Sequence, residues 1–214
     1  MAEREERPQE TGRADGDRQT GAVYPRYLVV VAVTITIGSI LLATLLSPAF
    51  AWRENALSNL GVTWTDAGTM TTVVLFNGGL VTGGVVGVVA ATTLYRQGTG
   101  PGDRTVVVLA GIALTLMGLV GVFTQGHLLH FPVAVSFFLL VSVVMWVDGV
   151  VRYRGGSRRR GGLTVAAGVA NVLCWVVWVT VVADPLSGLA VPEMFGAGLF
   201  AVWLLAVAVR LSGE

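Results

Sequence analysis

The sequence predicts an all-α integral membrane bundle of six transmembrane helices, and three observations predict it. Six stretches of about twenty residues each are apolar and almost free of charge. That length crosses a hydrocarbon core of roughly 30 Å at about 1.5 Å rise per residue. Only 13% of the 214 residues are charged, about half the density of roughly 25% usual in a soluble domain. The charges that remain are segregated: all fourteen basic residues are Arg, and they fall almost entirely in alternate connections.

Taken in order, residues 1–25 are rich in Glu, Arg, Gln, Gly and Asp and have almost nothing to bury, so they read as a disordered tail with no signal-peptide pattern. The spans then read as about 26–47, 71–95, 105–124, 132–151, 162–183 and 192–211, together one membrane domain over 26–211. All seven prolines fall in the tail, in connections or at a first helical position, where a missing N–H costs little. The arginine count sets the orientation. Thirteen lie in the tail, in the connections after spans two and four, and at the C-terminus, and only Arg53 lies on the other side. Arginine is retained on the inner face of a membrane, so both termini are expected in the cytoplasm of a cell whose plasma membrane holds the chain as a multi-pass protein. The run Arg158-Arg159-Arg160 is then a topology signal, with a lipid-headgroup or nucleic-acid patch as the alternative; no nucleic-acid partner is expected.

Packing signals lie inside the spans. Gly79, Gly83 and Gly87 form a ridge in span two with Gly78 and Gly84 beside it, and Gly111 and Gly118 share a face of span three. Such small residues let neighbouring backbones approach in lipid, where no hydrophobic force drives helices together. Asn77 and Asn171 are expected to face the interior, because an amide in hydrocarbon needs a partner. Asp148 stands four residues before Arg152, the spacing of a helical ion pair. The lone Cys174, between Leu173 and Trp175, reads as a small buried hydrophobe.

The outer end collects what chemistry there is. The first outer connection, about 48–70, contains Trp52-Arg53-Glu54-Asn55-Ala56-Leu57-Ser58-Asn59-Leu60-Gly61. It predicts a short interfacial helix closed by a left-handed Gly61, followed by a capping box from Thr63 and Asp66 that starts span two early. Trp52 and Trp64 suit the water–hydrocarbon boundary. His127 and His130 stand in the second outer connection, and Asp184 and Glu193 in or beside the third. Imidazoles and carboxylates together can bind zinc, so His127 and His130 are candidate metal ligands, although the sequence demands no cofactor. The phosphate loop, the nucleophile elbow, the His-Glu-x-x-His motif and a cysteine cluster are all missing, and so is a visible three-plus-three repeat.

At Ala56-Leu57-Ser58-Asn59-Leu60-Gly61 and Phe76-Asn77-x-x-Leu80, and again at Gly121-Val122-Phe123, His130 and Phe137-Phe138, the chain resembles the domain of unknown function 998 family. These are polytopic membrane proteins of about six spans, and the resemblance runs from about Arg26 to Leu211. It is distantly similar to the Frag1/DRAM/Sfk1 group, which carries a related element after its first span; by analogy this implies lipid handling or membrane organisation. The family resemblance implies that Ser58, Gly61, Asn77 and His130 belong together, and it supplies no catalytic residue. Thr124 stands where the family often has proline, which leaves that turn's geometry open.

The expectation is a protein that binds a membrane lipid or small ligand in an outward-facing pocket, or organises partners. Glu54, Ser58, Asn59, Gly61, Asn77 and His130 are the candidate lining, and the first outer connection is the lid. Ser58, Asn77 and His130 are expected to share one cavity. The alternatives are a metal-assisted hydrolase acting on a lipid through His127 and His130, and a transporter. Near-absence of ionisable groups inside the spans argues against a proton pump. The oligomeric state is open.

Overall fold

The computed structural model describes residues 11–97, 100–182 and 188–212. Residues 1–10 of the expected tail and Asp184 of the third connection lie outside those ranges. The described chain is all-helical. It consists of α1 (Thr11–Leu45), a 3₁₀ turn (Leu57–Gly61), α2 (Met70–Arg96), α3 (Pro101–Val122), α4 (His130–Arg154), α5 (Arg158–Val177), a π-helical continuation of α5 (Trp178–Val182), and α6 (Ala190–Leu211). Six helices are long and apolar enough to cross a membrane, with α1 contributing Tyr24–Leu45.

α1 departs from expectation at its start. Residues 11–25, read as disordered, continue the helix toward the N-terminus, and Pro25 lies inside it. Once the apolar part has formed a helix, each further residue adds a hydrogen bond without a new nucleus. α2 also starts differently. Thr69, not Thr63 or Asp66, caps it: Thr69 Oγ1 accepts from Thr72 N at 3.2 Å, and Thr72 Oγ1 accepts from Thr69 N at 2.8 Å. A hydroxyl thus does the reciprocal work usually given to a carboxylate.

Neighbours in sequence are neighbours in space from α1 to α5, and α6 closes the bundle against α1, α4 and α5. The glycine ridge of α2 serves two partners. A Cβ at Gly79 would collide with Ser39 of α1 and one at Gly83 with Thr36; one at Gly84 would lie 2.9 Å from Gly118 Cα and one at Gly87 2.6 Å from Leu114 Cδ2, both on α3. Gly78 faces open space. On the far side α4 and α5 meet at a crossing absent from the sequence reading, where a Cβ on Gly161 would lie 2.6 Å from the Gly149 carbonyl. Asn171 locks that pair: it is buried and donates to Phe138 O at 3.2 Å and Ser142 Oγ at 2.9 Å, an interhelical tie worth about 1 kcal/mol.

α5 is nevertheless peripheral, with 11% of its apolar window buried. It rests on α4 and α6 and leaves α1, α2, α3, α4 and α6 to surround the interior. Helices antiparallel in sequence order gather two sets of ends. The loop end carries the 3₁₀ turn and the starts of α2, α4 and α6. The arginine end carries the starts of α3 and α5 and the ends of α4 and α6.

Candidate functional site

The segment between α1 and α2 is folded into the loop end of the bundle. Its 3₁₀ turn buries Leu57, Ser58, Leu60 and Gly61, with Leu60 at 0% exposure. Side chains replace a regular ladder: Asn55 Oδ1 accepts from Ala51 N at 2.8 Å, Asn59 Oδ1 accepts from Ala56 N at 2.7 Å, and the Thr65 hydroxyl donates to the Asn59 backbone carbonyl at 2.7 Å. The turn is then tied to three other elements. Asn59 Nδ2 donates to Gln125 Oε1 at 2.9 Å, Asn77 Nδ2 on α2 donates to Gly61 O at 2.8 Å, and Leu57 N donates to Glu193 Oε2 on α6 at 2.6 Å. Ala190 N also donates to Asn55 O at 2.9 Å. A buried backbone group without such a partner would cost a few kcal/mol, so these amides are what allow irregular chain to sit inside the bundle.

Gly61 is glycine for a different reason than expected. Its φ is not positive; among the described residues the positive values belong to Gly126, Gly156 and Gly188. A Cβ at Gly61 would lie 2.6 Å from Asn77 Oδ1 and 3.1 Å from Phe76 Cδ1. Close approach of the turn to α2, not chain reversal, requires it.

Beneath the turn lies a cavity of about 70 Å³. Its polar lining at the loop end is Ser58, His130 and Glu193. Below them it is walled by Ile37, Phe76, Leu114, Phe137 and Phe200, among other apolar residues of five helices, and none comes from α5. On α6 the lining runs from Glu193 to Leu204, a depth of roughly 16 Å along the helix axis. That is the depth of about one leaflet's acyl layer, half of a core of roughly 30 Å.

The polar groups are individually fixed. His130 donates Nδ1–H to the Phe123 carbonyl at 2.7 Å. This bond sets the tautomer, so the neutral ring keeps its lone pair on Nε2. Phe123 closes α3, and Thr124, in the position that the family often gives to proline, still makes the turn by accepting from His127 N at 3.0 Å. One oxygen of Glu193 holds the 3₁₀ turn. Deeper in, Thr36 is 5% exposed and lines the cavity, and its hydroxyl has no hydrogen-bond partner.

The candidate residues from the sequence thus divide. Ser58 and His130 open on the cavity. Asn77, expected to share it, instead spends its amide on Gly61, and Asn59 spends its amide on Ala56 and Gln125; both hold the turn from outside the lining. Glu54 is exposed to solvent. His127 is exposed, accepts Leu129 N–H on Nδ1 at 3.1 Å and stacks on Phe123. Among the described residues no three of His, Cys, Asp and Glu come together as a metal-ligand set. Two polar lining residues were not in the candidate pocket: Thr36, and Glu193, which the sequence offered only as one of the outer-end acids. A carboxylate opening an apolar helix is itself a pointer to function.

This six-helix membrane architecture, with a buried turn over an apolar cavity, defines the class of the protein. A family model described as protein of unknown function (DUF998) matches residues 30–210. The chain belongs to that family. No curated protein and no solved structure matches it, and the distant likeness to the Frag1/DRAM/Sfk1 group has no counterpart in these comparisons.

Proposed function

We propose that this protein binds a single apolar chain of a membrane lipid in the loop-end cavity, with the lipid's polar group at Ser58, His130 and Glu193. The observation that carries the reading is the cavity's polarity gradient. Its polar side chains gather at one end, and the rest of its depth is apolar except for Thr36. An amphiphile has that same gradient, and burial of its chain supplies about 0.8 kcal/mol per CH₂. Ser58 can donate, His130 Nε2 can accept, and the Glu193 oxygen not held by Leu57 can accept from a hydroxyl or ammonium group. The 3₁₀ turn is the lid, held by Asn59 and Asn77. In this reading the loop end faces outward, both termini are cytoplasmic, and the membrane is the cell membrane, following the arginine count.

The test is native mass spectrometry of the detergent-extracted chain. A co-purified lipid at one per chain is expected in the wild type. It should be lost in Ala197→Phe, which fills the cavity, provided the melting temperature holds. No retained lipid, or equal retention by the filled variant, overturns the proposal.

A hydrolytic reading has one observation in its favour: a hydroxyl, an imidazole with a free Nε2 and a carboxylate open on the same cavity. Release of fatty acid from a co-purified or added lipid, abolished by Ser58→Ala, is its expected outcome. Metal assistance has no comparable support, because His127 and His130 turn their Nδ1 atoms to backbone groups and no third ligand joins them among the described residues.

A further inference from the structure

The arginine end holds a second site that is separate from the cavity. A cleft of about 650 Å³ opens between α3, α4, α5 and α6, lined by Asp103, Arg152, Ser157, Arg160 and Arg210 with apolar residues of α4 and α6 beside them. The four charged residues come from the first turn of α3, the last turn of α4, the first turn of α5 and the last turn of α6. They therefore lie at one level, where apolar helices give way to polar connections.

Behind the cleft sits Asp148, 0% exposed. It pairs with Arg152 Nε and Arg210 Nη2, both at 2.8 Å, and accepts Trp203 Nε1–H at 2.9 Å. Asp103 pairs with Arg210 Nη2 at 3.1 Å. These ion pairs hold the guanidinium groups in place but do not neutralise them. Three arginines face two carboxylates, which leaves one surplus positive charge in the cluster. Nor do they satisfy them, since Arg152 Nη2 and Arg210 Nε are buried without a hydrogen-bond partner. A third feature points the same way. α5 starts at Ser157 without a side-chain cap, and Ser157 lines the cleft. The unbonded N–H groups of a helix start attract an anion.

We infer that this cleft binds the phosphate group of an anionic lipid, with Arg152, Arg160 and Arg210 as its charge partners and the start of α5 beside it. Guanidinium groups meet phosphate through paired N–H···O bonds. A phospholipid phosphate lies just outside the hydrocarbon core, the level at which these helix ends stand. The apolar cleft walls from Val151, Leu205, Ala206 and Val209 would lie against the first part of the lipid's chains. The Asp148 pairs pre-set two of the three arginines, so the ligand has little ordering cost to meet.

The experiment uses the full chain in neutral detergent, where no charged bilayer surface pulls on the arginines in general. Native mass spectrometry reads the binding of phosphatidylglycerol against phosphatidylcholine, with inorganic phosphate as a competitor. The wild type should bind one phosphatidylglycerol in preference. Arg160→Gln, an exposed position whose change leaves the Asp148 pairs intact, should weaken that binding about tenfold. Arg159→Gln removes the same charge next door but outside the cleft, and should change it less than about twofold. No preference in the wild type, or equal loss in both variants, overturns the site. Displacement of the lipid by an equal concentration of inorganic phosphate overturns the lipid as its ligand.

Discussion

At the loop end, backbone groups are buried mostly by separate neutral amides, Asn77 at Gly61, Asn59 at Ala56 and Asn55 at Ala51, with the Glu193 carboxylate taking Leu57. At the arginine end they are buried by sharing one carboxylate, Asp148, among Arg152, Arg210 and Trp203. The first arrangement breaks into separable pieces, each costing about 1 kcal/mol to lose. The second leans on a single residue, because removing the shared partner strands the buried Arg152 and leaves Arg210 with Asp103 alone. The loop-end cavity sits under the separable turn, and the helices are clamped together by the network at the other end.

The largest expected effect tests that contrast directly. Asp148→Ala should destabilise the bundle by about 3–5 kcal/mol, read as the loss of thermal stability in detergent. A loss under about 1 kcal/mol would mean that the network is decoration. Next, Gly84→Val should cost about 1–3 kcal/mol, because its Cβ would lie 2.9 Å from Gly118 Cα and from the Leu114 carbonyl, both backbone. Asn77→Ala should cost about 1 kcal/mol, and its signature is local: hydrogen exchange should rise over residues 56–62 while the amides around Asp148 stay protected. Exchange that rises equally at both ends would erase the distinction between them. The smallest effect belongs to Gly78→Ala, where nothing lies within 4 Å of the added carbon; the melting point should move by no more than about 0.5 kcal/mol allows. Between the two sites, Ala197→Phe should leave the phosphatidylglycerol binding of the arginine cleft unchanged, since Ala197 lines the loop-end cavity and not the cleft.

How much was legible can be seen residue by residue. Span positions follow from composition, because hydrocarbon rejects charge wherever the helix packs. The pair Asp148–Arg152 is legible because four residues make one helical turn, but its third partner, Arg210, lies 62 positions from Asp148 in the chain and no local pattern reaches it. Gly61 was legible as a required glycine and misread as to cause, since a turn and a close contact exclude a Cβ equally well. Asn77 was legible as an interior amide; that it would hold the lid instead of lining the cavity depends on which face of α2 meets the 3₁₀ turn. Glu193 was legible only as one acid at the outer end; its place beside Ser58 and His130 depends on α6 closing against α1.

The sequence by itself determined that this chain is a six-helix membrane protein and roughly where its apolar spans lie, though not the start of α1 or the cap of α2, because the free energy of placing an apolar segment in lipid is a property of the segment alone. Only the tertiary structure decided that Ser58, His130 and Glu193 share a cavity and that Arg152, Arg160 and Arg210 share a cleft. Contacts between helices depend on their order around the bundle, and that order is set by the sum of many close approaches, among them Gly84 on Gly118 and Gly149 on Gly161, none of which is written in any one span.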